Sequence, residues 1–186
     1  MTTKAPDPAT VANPNPKKRA ATTTAAPKPT PKFNGYTQLH KHCAKKEWED
    51  AKRRCLSHPS ELKIKDYDNY ARTPLQVALV ESCDVTLLKL FIDIHKTKNA
   101  RNPGSKEAEM ELVLQPDEDD CIPLHFAAYR GGPEVVRFLI ARYPEALTCK
   151  NNDRQTPIDV AIENNRGEEI IDLFRIEIIK YLNKSD

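Results

Sequence analysis

The densest grouping of metal-capable side chains in this chain is His40-Lys41-His42-Cys43. Imidazole and thiolate are ligand types that zinc prefers, but a structural zinc site takes four ligands, commonly as two short-spaced pairs. No second pair follows at that spacing. The acidic run Asp117-Glu118-Asp119-Asp120 would attract a hard cation. It lies where a turn joins two helical segments, and is expected to be a solvated turn. The chain has five glycines, none arranged as G-x-x-x-x-G-K-[ST] to cradle a phosphate. Its cysteines, Cys43, Cys55, Cys83, Cys121 and Cys149, are odd in number, scattered, and form no C-x-x-C pair. A Cys–His nucleophile would need a pairing that nothing in the sequence selects. No catalytic residue, cofactor or metal site is assigned, and no enzyme activity is expected.

The elements that carry these residues are easier to read. Ile122–Ile140 reads as two short antiparallel helices. Pro123 suits a first helical position, because its missing N–H costs nothing there. Leu124, Ala127 and Ala128 fall at i, i+3 and i+4 and make an apolar stripe. Gly131-Gly132 predicts a left-handed end to that helix. Val135, Val136, Phe138 and Leu139 then supply the inner face of the second. Such a pair cannot bury its face alone, so it predicts neighbours of its own kind.

Those neighbours are present. Thr73-Pro74-Leu75-Gln76-Val77-Ala78-Leu79 and Thr156-Pro157-Ile158-Asp159-Val160-Ala161-Ile162 match the opening of the unit. Thr37-Gln38-Leu39-His40-Lys41-His42-Cys43 is a weaker copy. Second helices follow, on Trp48, Ala51, Cys55 and Leu56, on Val85 to Phe91, and on Ile170 to Phe174. The interhelical turns are Lys45-Lys46, Ser82-Cys83, Gly131-Gly132 and Asn164-Asn165. Only the last two carry glycine or asparagine, so the third and fourth units are expected to be the best formed.

A period near 33 residues opening on T-P-L-H-x-A resembles the ankyrin repeat. The resemblance covers roughly 33–175. It implies an all-α solenoid of about four helix-turn-helix units, with repeats near 33–65, 66–95, 117–150 and 151–182. The domain is expected to span 33–186, with an insertion over 96–116. It also implies that the threonine caps the first helix and that the histidine ties adjacent turns together. Ile122 lacks the hydroxyl, Gln38 replaces proline, and Gln76 and Asp159 replace histidine, so each site is expected to weaken the array.

The insertion contains the turn Asn102-Pro103-Gly104 and then Ser105, placed to cap a short helix through Leu114. Insertions in repeat arrays map to loops on one face, often the binding face. The last helix carries more apolar residues than one stripe needs, from Ile170 to Leu182. It is expected to fold back over the fourth repeat, with an apolar strip for a partner as the alternative.

Residues 1–32 hold seven Pro, seven Thr and seven Ala, with Met1 and Val11 as their large apolar groups. That composition cannot bury enough surface to offset chain entropy, so a disordered tail is expected. The tail has six basic residues and one acid, while the rest carries 23 basic and 26 acidic residues. The acidic remainder disfavours general nucleic-acid binding. No segment reaches the roughly 20 apolar residues that span a bilayer, and no apolar leader is evident. The scattered cysteines fit reduced thiols in the cytoplasm. Lys17-Lys18-Arg19 offers a nuclear import signal as an alternative, and the acid-poor tail raises import into an organelle.

The resemblance implies a protein-protein interaction adaptor or scaffold that binds a partner protein on its concave surface, with no small-molecule substrate. A monomer is expected unless the C-terminal helix self-associates. Alternatives are a nuclear or transcription-associated regulator and a subunit of an enzyme complex. The family's variable surface positions map onto Asn69, Tyr70 and Arg72; onto Glu118, Asp119 and Cys121; and onto Asn152, Asp153 and Gln155. Helix-end positions add Val80, Glu81, Tyr129, Arg130, Glu163 and Asn164. Tyr and Arg are common interface anchors, which singles out Tyr70, Arg72, Tyr129 and Arg130.

Overall fold

The computed structural model describes residues 35–98 and 104–183. The expected tail, and the Asn102-Pro103 part of the expected turn, lie outside them. The helices are α1 (Gln38–Ala44), α2 (Trp48–Ser57), α3 (Pro74–Val80), α4 (Val85–Lys98), α5 (Lys106–Val113), α6 (Pro123–Arg130), α7 (Pro133–Arg142), α8 (Pro157–Glu163) and α9 (Glu168–Leu182). The described residues hold four helix pairs, α1/α2, α3/α4, α6/α7 and α8/α9. The first helices stack in the order α1, α3, α6, α8, and the second helices in the order α2, α4, α7, α9. One continuous core runs between the two layers, from Leu39 through Leu79, Phe91, Phe126 and Leu139 to Phe174.

Proline opens α3, α6 and α8 as the sequence indicates. The caps differ in quality. Thr73 N donates to Gln76 Oε1 at 2.7 Å, and Thr156 N to Asp159 Oδ2 at 2.8 Å. Ile122 has no hydroxyl to offer, but its N–H donates to His125 Nδ1 at 3.2 Å. Half of the cap therefore survives in the third repeat.

The hinges overturn the expectation at glycine and bear it out at Asn165. Lys46, Ser82 and Asn165 take φ of 59°, 63° and 51°. This left-handed conformation costs a residue with a Cβ roughly 1 kcal/mol. Each hinge offsets that with two backbone bonds. Glu47 N donates to His42 O at 2.9 Å, Cys83 N to Ala78 O at 2.9 Å, and Arg166 N to Ala161 O at 3.0 Å. Lys46, Ser82 and Asn165 donate the second bond, to Cys43 O, Leu79 O and Ile162 O. The pattern is a Schellman closure. The Gly131-Gly132 hinge lacks it. Gly131 is extended at φ −64°, ψ 152°, and Gly132 at φ −72°, ψ 163°. Pro133 accounts for Gly132, because a proline disfavours the helical region in the residue directly before it. Gly131 is needed for closeness instead: a Cβ there would lie 2.7 Å from Ala127 O.

The insertion enters after α4, where the first and third repeats carry the 3₁₀ turns Pro59–Lys63 and Pro144–Thr148. Ser105 caps α5 by accepting from Ala108 N at 3.1 Å. The helix packs on α4 and buries Ala108, Glu109, Leu112 and Val113. Glu109 then reaches the end of α7, accepting from Arg142 Nη2 at 2.9 Å and Tyr143 OH at 3.0 Å. Lys96 pairs with the same carboxylate. Hydrogen bonds from Arg142 hold Glu109 down at a pKa of about 2, against the opposing effect of burial. Helix α5 is thus part of the packed body. Helix α9 folds back onto α7 and buries Ile170, Leu173 and Phe174, while Ile176, Ile179 and Leu182 stay more than half exposed.

Candidate protein-binding surface

Three turns precede α3, α6 and α8, and each is built on an acid or amide at its first position. Asp66 Oδ1 accepts from Asp68 N at 3.2 Å. Asp117 Oδ1 accepts from Asp119 N and Cys121 N, both at 2.9 Å. Asn151 Oδ1 accepts from Asp153 N at 3.1 Å and Gln155 N at 2.9 Å. These side chains mimic a backbone turn. The turn ends are closed by Asp66 N to Arg72 O at 2.8 Å, Asp117 N to Cys121 O at 3.1 Å, and Asn151 N to Gln155 O at 3.0 Å.

The turns are also bonded to one another. Glu118 N donates to Tyr70 O, and Asn152 N to Asp119 O, each at 2.9 Å. Asn152 Nδ2 adds a bond to Glu118 O at 3.0 Å. The three tips therefore form one continuous ribbon held at backbone level.

Buried side chains fix that ribbon to the first helices. His40 Nε2 meets Arg72 O at 3.1 Å, and His125 Nε2 meets Gln155 O at 3.1 Å. Each ring accepts a backbone N–H at Nδ1, from Thr37 and Ile122, so Nε2 carries the proton and donates. Burial pushes His40 down to about 4, and it also lowers His125. Gln76 does the same work in the second repeat, donating from Nε2 to Cys121 O at 3.2 Å and Gln115 O at 3.0 Å. The tie expected of histidine is thus made here by glutamine. Asp159, in the last repeat, accepts from Thr156 Oγ1 instead.

The residues mapped from the sequence divide in two. Glu118, Arg130 and Asn152 are exposed, and Asn69, Tyr70, Asp119, Tyr129, Asp153, Gln155, Glu163 and Asn164 are half-buried. Arg72, Val80, Glu81 and Cys121 are buried and present no side chain to a partner. Arg72 points inward between the rings of Tyr70 and Phe126, at 4.8 and 5.1 Å. Glu81 pairs with Lys46 at 3.3 Å, which turns it back toward the preceding hinge. Val80 belongs to the wholly buried α3, and the Cys121 thiol lies beneath its turn, 3.7 Å from Asn151 Nδ2. Asn164 donates to Val160 O at 2.8 Å, so its amide is committed to its own helix. Arg130 lies over the Tyr129 ring at 5.5 Å, and the two form a joint edge at the end of α6.

Sequence reading missed Tyr67, 55% exposed at the tip of the first turn. The signal was available. Seven positions separate Asp66 from Thr73, but five separate Asp117 from Ile122 and Asn151 from Thr156. The two extra residues lengthen this tip. Asp68, Asp120 and Arg154 are also exposed tip residues, and with Glu118, Asp119 and Asp153 they leave the ribbon with a clear excess of acid.

The candidate metal trio does not assemble. His40 and Cys43 are fully buried, and burial drives the Cys43 thiol well above its ordinary range. All five cysteines are free thiols, four of them buried. Among the described residues no helix is long and apolar enough to cross a membrane.

Comparison with known proteins agrees with this geometry. Residues 113–161 match the family described as ankyrin repeats (many copies). A stretch of 56 residues is 36% identical to the human transient receptor potential cation channel subfamily A member 1. That match covers 30% of this chain and 5% of the relative, so the chain spans only a small fraction of that protein's length.

Proposed function

Because this chain is an ankyrin-repeat protein, we propose that it is a non-enzymatic adaptor that holds a partner protein against its turn ribbon and the adjoining helix ends. Ankyrin repeats generally mediate protein-protein interaction. The observation that supports the reading here is the backbone-bonded ribbon from Tyr70 through Glu118 and Asp119 to Asn152. A surface ordered in advance lowers the ordering cost of association. Its chemistry favours a basic, extended segment. Acidic tips attract Lys and Arg, and the exposed Tyr67 offers a face for cation–π contact. Tyr129 and Arg130 extend the surface along α6.

Affinity capture from cell extract tests this. The full chain is compared with a Tyr67→Ala, Glu118→Lys, Asp119→Lys variant and with Tyr129→Ala, Arg130→Ala. Both variants should retain helical circular dichroism and lose captured partners. An identical captured set would remove the assignment. The location we propose is cytoplasmic. Lys17-Lys18-Arg19 supports a nuclear alternative, which fluorescent fusions with and without residues 1–32 would separate.

A further inference from the structure

We propose that His42, Glu47 and Asp50 form a site for a divalent transition-metal ion of the zinc class at the hinge of the first repeat. Their ligand atoms all lie within 4.8 Å of one another. His42 Nδ1 is already 2.8 Å from Glu47 Oε2. All three side chains are half-buried, so they are reachable from solvent yet partly held.

The backbone makes the arrangement a built one. His42 lies in the last turn of α1, Glu47 is the N-cap of α2, and Asp50 lies in the first turn of α2. The left-handed Lys46 joins them, with Lys46 N bonded to Cys43 O at 3.1 Å and Glu47 N to His42 O at 2.9 Å. These bonds fix the register between the two helices, and hence the relative positions of the three side chains. The Glu47 carboxylate makes no capping bond, so it is not committed to the helix. Lys46, next to Glu47 in sequence, is drawn off to Glu81 at 3.3 Å.

One imidazole and two carboxylates suit zinc, cobalt or nickel better than magnesium or calcium, which take oxygen ligands. The cation takes the place of the hydrogen in the His42 Nδ1–Glu47 Oε2 bond, and that hydrogen passes to solvent. The imidazole then carries its hydrogen on Nε2 and donates its Nδ1 lone pair. Asp50 exchanges Arg53 for the metal. Three protein ligands leave at least one position for water. This site shares only His42 with the trio suggested by sequence, and the ligands that complete it come from α2.

Calorimetric titration of the chelator-stripped full chain with zinc chloride tests the proposal. One equivalent should bind, and His42→Ala and Glu47→Gln should each weaken it by at least about tenfold. Circular dichroism checks that both variants remain helical, and Glu47→Gln keeps the test alive if His42→Ala unfolds. Cobalt should give a spectrum with nitrogen and oxygen ligands. A sulfur-to-cobalt charge-transfer band, unchanged binding in both variants, or no binding by the parent chain would each overturn the assignment.

Discussion

Arg72 Nε lies 3.6 Å from Asp117 Oδ2, with the two side chains 1% and 0% exposed. The pair joins the first turn to the second from beneath, between the Tyr70 and Phe126 rings. Burial pushes Asp117 up to about 6, partly offset by its bond from Cys121 N and by the Arg72 charge. A raised carboxyl pKa means that the neutral form suits the fold. Stability from this group is complete below about pH 4 and declines as pH rises through 6.

Arg72→Ala should therefore cost about 3 kcal/mol at pH 7, where it strands a buried carboxylate. The loss should be clearly smaller at pH 4, where Asp117 is protonated. Urea unfolding at the two pH values reads this difference. Equal losses would show that the pair does not couple to the charge of Asp117.

Glu109 has the opposite sign. Its pKa is depressed to about 2, first by the Arg142 hydrogen bonds, so its contribution is present above the ordinary carboxyl pKa and fades as pH falls toward 2. Glu109→Gln should lose about 2 kcal/mol at pH 7. The gap from the parent chain should narrow below about pH 4. Proteolysis should also detect a loosened α5, because Glu109 is its link to Arg142 and Tyr143.

The two adjacent glycines should respond differently to the same change. Gly131→Ala places a Cβ against the Ala127 backbone and should destabilise by more than about 1 kcal/mol. Gly132→Ala meets nothing within 4 Å and takes an ordinary φ, so it should be neutral or stabilising by about 0.5 kcal/mol. Thermal melts of the two variants suffice to compare them.

Gln76→Ala removes the bonds to Gln115 O and Cys121 O and the cap on Thr73 N. With buried partners left unsatisfied, about 2–3 kcal/mol should be lost. Gln76→His should recover much of it, since His40 and His125 fill the equivalent place. Urea midpoints of the three chains would show whether the rung is interchangeable.

The four repeats, their first and second helices, the place of the insertion and the Ser105 cap were all legible from period and punctuation. Local signals carry them: a proline opens a helix, a hydroxyl caps it, and an apolar stripe faces inward. The sequence reading failed where a residue's fate is decided by another repeat. Arg72 looks like a surface anchor until Asp117 and Phe126 close over it, and Glu81 until Lys46 turns it back. The hinges at Lys46 and Ser82 carry no local mark, because the left-handed cost is met by closing bonds that composition does not reveal. Tyr67 stands out only in the length of its turn, two residues longer than the other two, and not in any residue-type signal.

The rungs at His40, Gln76 and His125 do not answer acid alike. His40 is depressed to about 4, so its contribution is complete above its ordinary pKa near 6.5 and lost as pH falls through 4. His125 is shifted in the same direction. Gln76 does not titrate, and Asp117 at the same junction fits the fold better once protonated. Acid should therefore unfasten the outer junctions first and leave the second and third repeats joined, so that the molecule comes apart in a set order. Amide exchange followed down the pH scale would trace that order as early loss at 35–44 and 151–163 and late loss at 74–80 and 123–130.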